Sequence, residues 1–129
     1  MEKMTGNGQL FQTTIKHPIT ISGMGIHTGV SVSMTLEPAE PNTGIVFQRV
    51  DLPGQPTVKA DCDFVTETRR STTIEHNGAK VSTIEHLLAA FVGSEVDNVL
   101  VKIDGAEVPI LDGSSKPFVE VLEKIGVEK

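Results

Sequence analysis

The chain has 129 residues, 38% of them hydrophobic and 22% charged, with a formal net charge of -6, which suits one domain with one modest core. The acidic balance argues against a general nucleic-acid binder, whose affinity needs clustered Lys and Arg, and against polybasic docking on anionic lipid. A single cysteine, Cys62, excludes an internal disulfide, and the longest continuous apolar run, residues 87–92, is far too short to span a bilayer.

Residues 1–9 are polar and Gly-rich and lack the apolar stretch of a signal peptide. They are expected to form a flexible tail ahead of one domain over residues 10–129, with the cytoplasm as the default compartment. Residues 13–15 and 19–21 are strand candidates on either side of Pro18. Val30-Ser31-Val32-Ser33-Met34-Thr35-Leu36 alternates apolar and polar positions, the period of a half-buried strand. Residues 44–50 predict another strand after the turn Pro41-Asn42-Thr43-Gly44. Residues 71–75 and 79–82 bracket Asn77-Gly78, a strong hairpin signal because both turn residues tolerate positive φ.

The period then changes. Ser82-Thr83-Ile84-Glu85 reads as a capping box, followed by Leu87-Leu88-Ala89-Ala90-Phe91-Val92 and the stop residue Gly93. A surface helix carries one apolar stripe, whereas this one is apolar nearly all round. It is therefore central to the domain or covered on a second side by another domain or subunit. Residues 99–103 and 107–111 predict a hairpin around Asp104-Gly105. The last helix is expected to start near Ser114 or Ser115, with Pro117 in its first turn and Gly126 at its end. Its Phe118, Val121, Leu122 and Ile125 form a single stripe. The sum is an α+β two-layer sandwich: a mostly antiparallel sheet with two helices on one face, like a two-layer ribosomal-protein domain.

The pair Glu85-His86 is the best candidate for chemistry. A catalytic zinc takes imidazole or carboxylate ligands and keeps a position open for water, and hydrolysis needs a base within reach of that water. Neighbours on a helix point about 100° apart, so in the first turn both can face a cleft at the helix end. The positive end of the helix dipole suits a carboxylate and an uncharged imidazole. Equally, Glu85 can be the third residue of a capping box that bonds only the Ser82 N–H, and His86 an ordinary core or surface histidine.

Gly23-Met24-Gly25-Ile26-His27-Thr28-Gly29 is not a dinucleotide fingerprint, because Thr28 replaces the third glycine and a strand follows instead of a helix. Its glycines suit a tight turn or a close backbone approach, with His27 either facing a ligand or incidental. Arg69-Arg70 is either an anion site or a solvated strand edge. Asp61-Cys62-Asp63 has no partner Cys or His at ligand spacing, and His17 and His76 read as exposed turn residues. H-E-x-x-H, P-loop and G-x-S-x-G motifs are absent from the sequence.

The run Ser82-Thr83-Ile84-Glu85-His86-Leu87-Leu88-Ala89-Ala90 resembles a signature of the UDP-3-O-acyl-N-acetylglucosamine deacetylase family, the zinc-dependent hydrolases of lipid A biosynthesis. The 23–29 segment resembles the family too, as do Pro41-Asn42-Thr43-Gly44-Ile45-Val46-Phe47-Gln48-Arg49, Thr72-Thr73-Ile74, and Glu107-Val108-Pro109-Ile110-Leu111-Asp112-Gly113-Ser114 through Pro117-Phe118. These stretches follow the family's order and spacing over residues 10–127. The resemblance implies two similar α+β domains whose helical layers pack together around the active site, with this chain as the first domain. The missing C-terminal domain is then the expected partner, one side of the apolar helix would face it, and the isolated domain is expected to self-associate.

By the same resemblance, His86 is the first zinc ligand and Glu85 the general base, which takes a proton from the water that attacks the acetamide carbonyl. The products are acetate and the amine of UDP-3-O-acyl-glucosamine. His27 lies on a loop that borders the cleft. Arg69, Arg70 and Ser71 match a small insert near the acyl-chain entrance, where the family often has apolar residues in place of the arginines. The family's other zinc ligands, an H-x-x-x-D pair, and its second catalytic histidine belong to the second domain. The chain alone is therefore expected to be inactive and to lack tightly bound zinc. The competing reading is a non-catalytic interaction or dimerisation module in which the apolar helix is the interface and Glu85 only a cap. RNA binding on a ribosomal-protein-like fold is disfavoured by the charge.

Overall fold

The computed structural model describes residues 3–4, 10–25, 27–61, 64–67, 72–76, 78–111 and 115–128. Arg69, Arg70 and Ser71 lie outside the described residues, as do Cys62, Asp63 and Asn77. In chain order the elements are β1 (Lys3–Met4), β2 (Leu10–Phe11), β3 (Thr14–Ile15), β4 (Ile19–Met24), β5 (Ser31–Pro38), β6 (Ile45–Arg49), β7 (Thr57–Lys59) and β8 (Val65–Glu67). They continue with β9 (Thr73–His76), β10 (Ala79–Ser82), α1 (Glu85–Gly93), β11 (Val99–Ile103), α2 (Lys116–Ile125) and β12 (Val127–Glu128). β1, inside the segment expected as a tail, pairs antiparallel with β2 at the start of the domain.

The main sheet has the order β4-β5-β11-β6-β7, antiparallel except for the β11–β6 pair. Alternation divides its two faces. Val32, Met34 and Leu36 of β5, Val99, Val101 and Ile103 of β11, and Phe47 of β6 are buried. The opposite face carries hydroxyl pairs between β4 and β5, Thr20 with Thr35 and Ser22 with Ser33, each 2.9 Å apart, and the Lys102–Glu37 ion pair at 3.2 Å. Such cross-strand pairs reinforce a wet face. Leu87, Ala90 and Phe91 of α1 and Phe118 and Leu122 of α2 join the apolar face in one continuous core. Both helices therefore cover the same side, and the α+β two-layer expectation holds.

Local chemistry explains most of the boundaries. Gly78 has φ +78° in the turn that pairs Ala79 with His76. α2 begins after Ser115 with Pro117 in its first turn. It ends where Gly126, at φ +84°, donates its N–H to the Leu122 carbonyl at 2.9 Å. The Gly126 carbonyl then accepts from Lys16 N–H at 3.1 Å, and β12 pairs with β3.

Two expectations are corrected. The hairpin around Asp104-Gly105 does not form. β11 is central, with β5 on one edge and β6 on the other, so no ladder edge is left for a returning strand. Glu107 bridges Ser82 instead, and Ile110 bridges Met24. The capping box does not form either. Ser82 ends β10, where its N–H and hydroxyl both donate to the Ala106 carbonyl at 2.8 and 3.2 Å. Thr83 turns the chain at φ +61°, and Ile84 takes the N-cap position without a side-chain cap. The sheet has claimed the residue that the local pattern assigned to the cap.

Candidate functional site

The start of α1 sits at the rim of the core. Ile84 and Leu87 are buried, while Glu85 and His86 between them are half-buried. Packing of Leu87, Ala90 and Phe91 fixes the helix, and its roughly 3.6 residues per turn then hold the carboxylate and imidazole at its open end. Glu85 Oε1 accepts the Thr72 N–H at 3.1 Å, which ties α1 to the residue preceding β9 rather than to Ser82. Half-buried Leu88 packs against the edge of the core, while Ala89 and Val92 are exposed on the outer side, Val92 at 58%. The outer surface of α1 is thus apolar, as its sequence implied.

A second constellation lies beside this end. The Glu107 carboxylate is 2% exposed. It accepts the His27 N–H at 3.1 Å on both oxygens, the Thr28 N–H at 2.9 Å on Oε1, and the Thr83 hydroxyl at 2.7 Å on Oε2. Burial pushes the Glu107 carboxyl up. The bonds from the Thr28 N–H, the Thr83 hydroxyl, the His27 N–H and the Thr28 hydroxyl outweigh burial and hold it below its ordinary 4.5. Gly25 is buried, and a Cβ there would collide with this carboxylate, so the glycine is required for close approach. The turn itself closes with Gly25 N–H to the Val30 carbonyl at 3.0 Å and Gly29 N–H to the Gly25 carbonyl at 2.9 Å.

A carboxyl whose folded value is depressed contributes stability that is present above its unfolded value and lost as pH falls through the folded one. Thermal melts are therefore expected to weaken below about pH 4.5, and Glu107→Gln is expected to remove that part of the slope. Parallel curves for the two proteins would show that the carboxylate adds no pH-dependent stability. The Arg49 guanidinium also holds the Asp51 carboxyl below its ordinary value, so the difference between the two curves is the quantity to read.

Of the residues singled out in the sequence, Glu85 and His86 are adjacent at the α1 start. His27 is exposed on the turn whose backbone Glu107 binds. Arg69, Arg70 and Ser71 lie outside the described residues. Glu107 and Thr83 were not singled out, although a lone carboxylate heading Val108-Pro109-Ile110-Leu111 was a visible signal. Arg49 ends the stretch of residues 41–49. It is 8% exposed, binds both Asp51 carboxylate oxygens at 2.8 and 2.7 Å and donates to the Lys80 carbonyl at 2.8 Å, locking β6 to β10. A groove of about 490 Å³ between residues 12–14, 38–43 and 98–100 does not include the α1 start. Within it the Asn98 side chain donates to Gln12 Oε1 at 2.9 Å.

A catalytic zinc takes three protein ligands. Among the described residues, no group of three or more His, Cys, Asp or Glu side chains is placed to hold a metal ion. The donor set at the α1 start fits one ligand position with an adjacent base, and not a complete site.

Residues 12–129 match the family described as LpxC: UDP-3-O-acyl N-acetylglycosamine deacetylase. A UDP-3-O-acyl-N-acetylglucosamine deacetylase of Citrifermentans bemidjiense is 52% identical over 119 residues, covering 92% of this chain and 39% of that protein. One of Xanthomonas campestris pv. campestris is 50% identical over 116 residues, covering 90% and 38%. The Bifunctional enzyme LpxC/FabZ of Bacteroides thetaiotaomicron is 47% identical over 120 residues, covering 93% and 26%. The chain thus spans two fifths or less of the length of these relatives.

Proposed function

Because the chain belongs to the UDP-3-O-acyl N-acetylglycosamine deacetylase family, we propose that it supplies the first half of a zinc amidase that removes acetate from UDP-3-O-acyl-N-acetylglucosamine, with Glu85 as general base and His86 as one zinc ligand. The observation that carries this reading is the pairing of a half-buried carboxylate and imidazole at the open end of a helix whose outer side is apolar. A buried pair could not reach substrate, and a polar outer side would not suit a second domain.

In this reading His86 would hold one position of a zinc ion, whose chemistry when bound would be to polarise the acetamide carbonyl. Glu85 is oriented by the Thr72 N–H on Oε1, which leaves Oε2 as the atom that takes the proton of the attacking water. The water oxygen adds to the carbonyl carbon, the C–N bond breaks as the proton held by Glu85 passes to the nitrogen, and acetate and the free amine leave with the Glu85 carboxylate restored. In this reading His27 borders the cleft from its turn. The remaining zinc ligands would come from a second domain that covers Ala89 and Val92.

The test is reconstitution. Deacetylation of UDP-3-O-acyl-N-acetylglucosamine is expected only when the chain is co-expressed with a second half carrying the H-x-x-x-D pair. The chain alone is expected to be inactive and to purify with far less than one zinc per molecule by metal analysis. One tightly bound zinc per isolated chain, or no activity from the reconstituted pair, would overturn the reading.

A further inference from the structure

We infer that Glu107 is a positioning residue whose buried carboxylate fastens the His27-Thr28 turn to Thr83 and so sets His27 against the start of the helix that carries Glu85 and His86. The inference rests on the proposed role of that helix end and adds to it the device that holds the end in place.

Three observations converge. First, the groups bonded to the carboxylate are all donors: the N–H groups of His27 and Thr28 and the hydroxyls of Thr83 and Thr28. A carboxylate accepts only, whereas a glutamine would turn an NH2 group toward donors. The charge therefore serves a set of donors from two segments about 55 residues apart in sequence, and bonds to an ionised acceptor are the strong kind. Second, Thr83 has φ +61°, a conformation that a β-branched residue adopts rarely and that glycine adopts freely. A threonine there keeps its hydroxyl, and the hydroxyl is spent on Glu107. Backbone held in this region is characteristic of sites where geometry matters. Third, Thr83 is two residues before Glu85, so a shift of the strained turn propagates directly into the first turn of α1.

A role confined to holding the fold together would move global stability. A positioning role moves the local geometry and kcat. The first experiment is NMR of the full chain. In Glu107→Gln, the His27 and Thr28 amides are expected to exchange about tenfold faster, and the Glu85 and His86 amide signals are expected to shift, while the β5 and β11 ladder amide signals stay in place. Unchanged Glu85 and His86 signals would overturn the inference.

The second experiment is kinetic, in the reconstituted pair. Thr83→Gly removes the hydroxyl and relieves the backbone, so the folded state survives. It is expected to lower kcat about 10-fold to 100-fold, the scale of a small misplacement, with KM nearly unchanged, and Thr83→Ser is expected to restore most of the rate. A Thr83→Gly variant with wild-type kcat would also overturn the inference. If the wild-type pair shows no deacetylation, the functional reading has failed, and the NMR result alone decides whether the clamp positions the helix end.

Discussion

Replacing Glu85 with Gln in the reconstituted two-part protein is expected to lower kcat for deacetylation by roughly 10²–10⁴-fold, the usual contribution of a positioned base. The substitution is nearly isosteric, and the Gln carbonyl oxygen can still accept the Thr72 N–H that Glu85 Oε1 now accepts. The tie between α1 and the residue preceding β9 therefore survives, and thermal stability is expected to stay within about 1 kcal/mol of wild type. What disappears is an oxygen able to take a proton. Steady-state kinetics beside a melting curve separates the two roles. Full activity with lowered stability would mean that Glu85 is only a structural acceptor.

Phe91→Ala is expected to cost about 3–5 kcal/mol of folding stability, against about 5–15 kcal/mol for a typical domain. Phe91 is 1% exposed and lies in the same core as Leu87 and Phe118, so truncation leaves a cavity between the helices and the sheet. The neighbouring Val92 is 58% exposed, and Val92→Ala is expected to change the stability of the isolated chain by no more than about 0.5 kcal/mol. In the reconstituted pair the order reverses for assembly, because only Val92 lies on the apolar side assigned to the second half. Chemical denaturation of the chain measures the first effect, and titration of one half against the other measures the second. Equal losses of folding stability for the two variants would contradict the division of α1 into an inner and an outer face.

Much of the secondary structure was legible because its causes are local. The alternation from Val30 to Leu36 requires only that one side of a strand be dry, and it became β5. Gly78 and Gly126 mark positive-φ positions, which are properties of two or three residues. The stripe of Phe118, Val121, Leu122 and Ile125 follows from helical period alone, and Phe118 and Leu122 are the residues that it buries. The misread elements fail for the opposite reason. Ser82 and Glu107 have several partners available, and the one that wins is distant in sequence. Ser82 bonds Ala106 across 24 residues, which removes it from the cap of α1, and the predicted 99–111 hairpin gave way because β5 and β6 occupy both edges of β11.

By itself the sequence determined the fold class, the boundaries of α2, the family resemblance over most of the chain, and Glu85-His86 as the pair to watch, since each rests on composition, period or contiguous residues. Tertiary structure alone decided that α1 starts without its expected cap, that Glu85 binds Thr72, and that Glu107 joins the His27 turn to Thr83. The physical reason is that a hydrogen-bonding side chain near a sheet chooses among acceptors and donors brought together only by packing. A buried carboxylate such as Glu107 settles where converging donors outweigh its desolvation, and no window of neighbouring residues contains those donors.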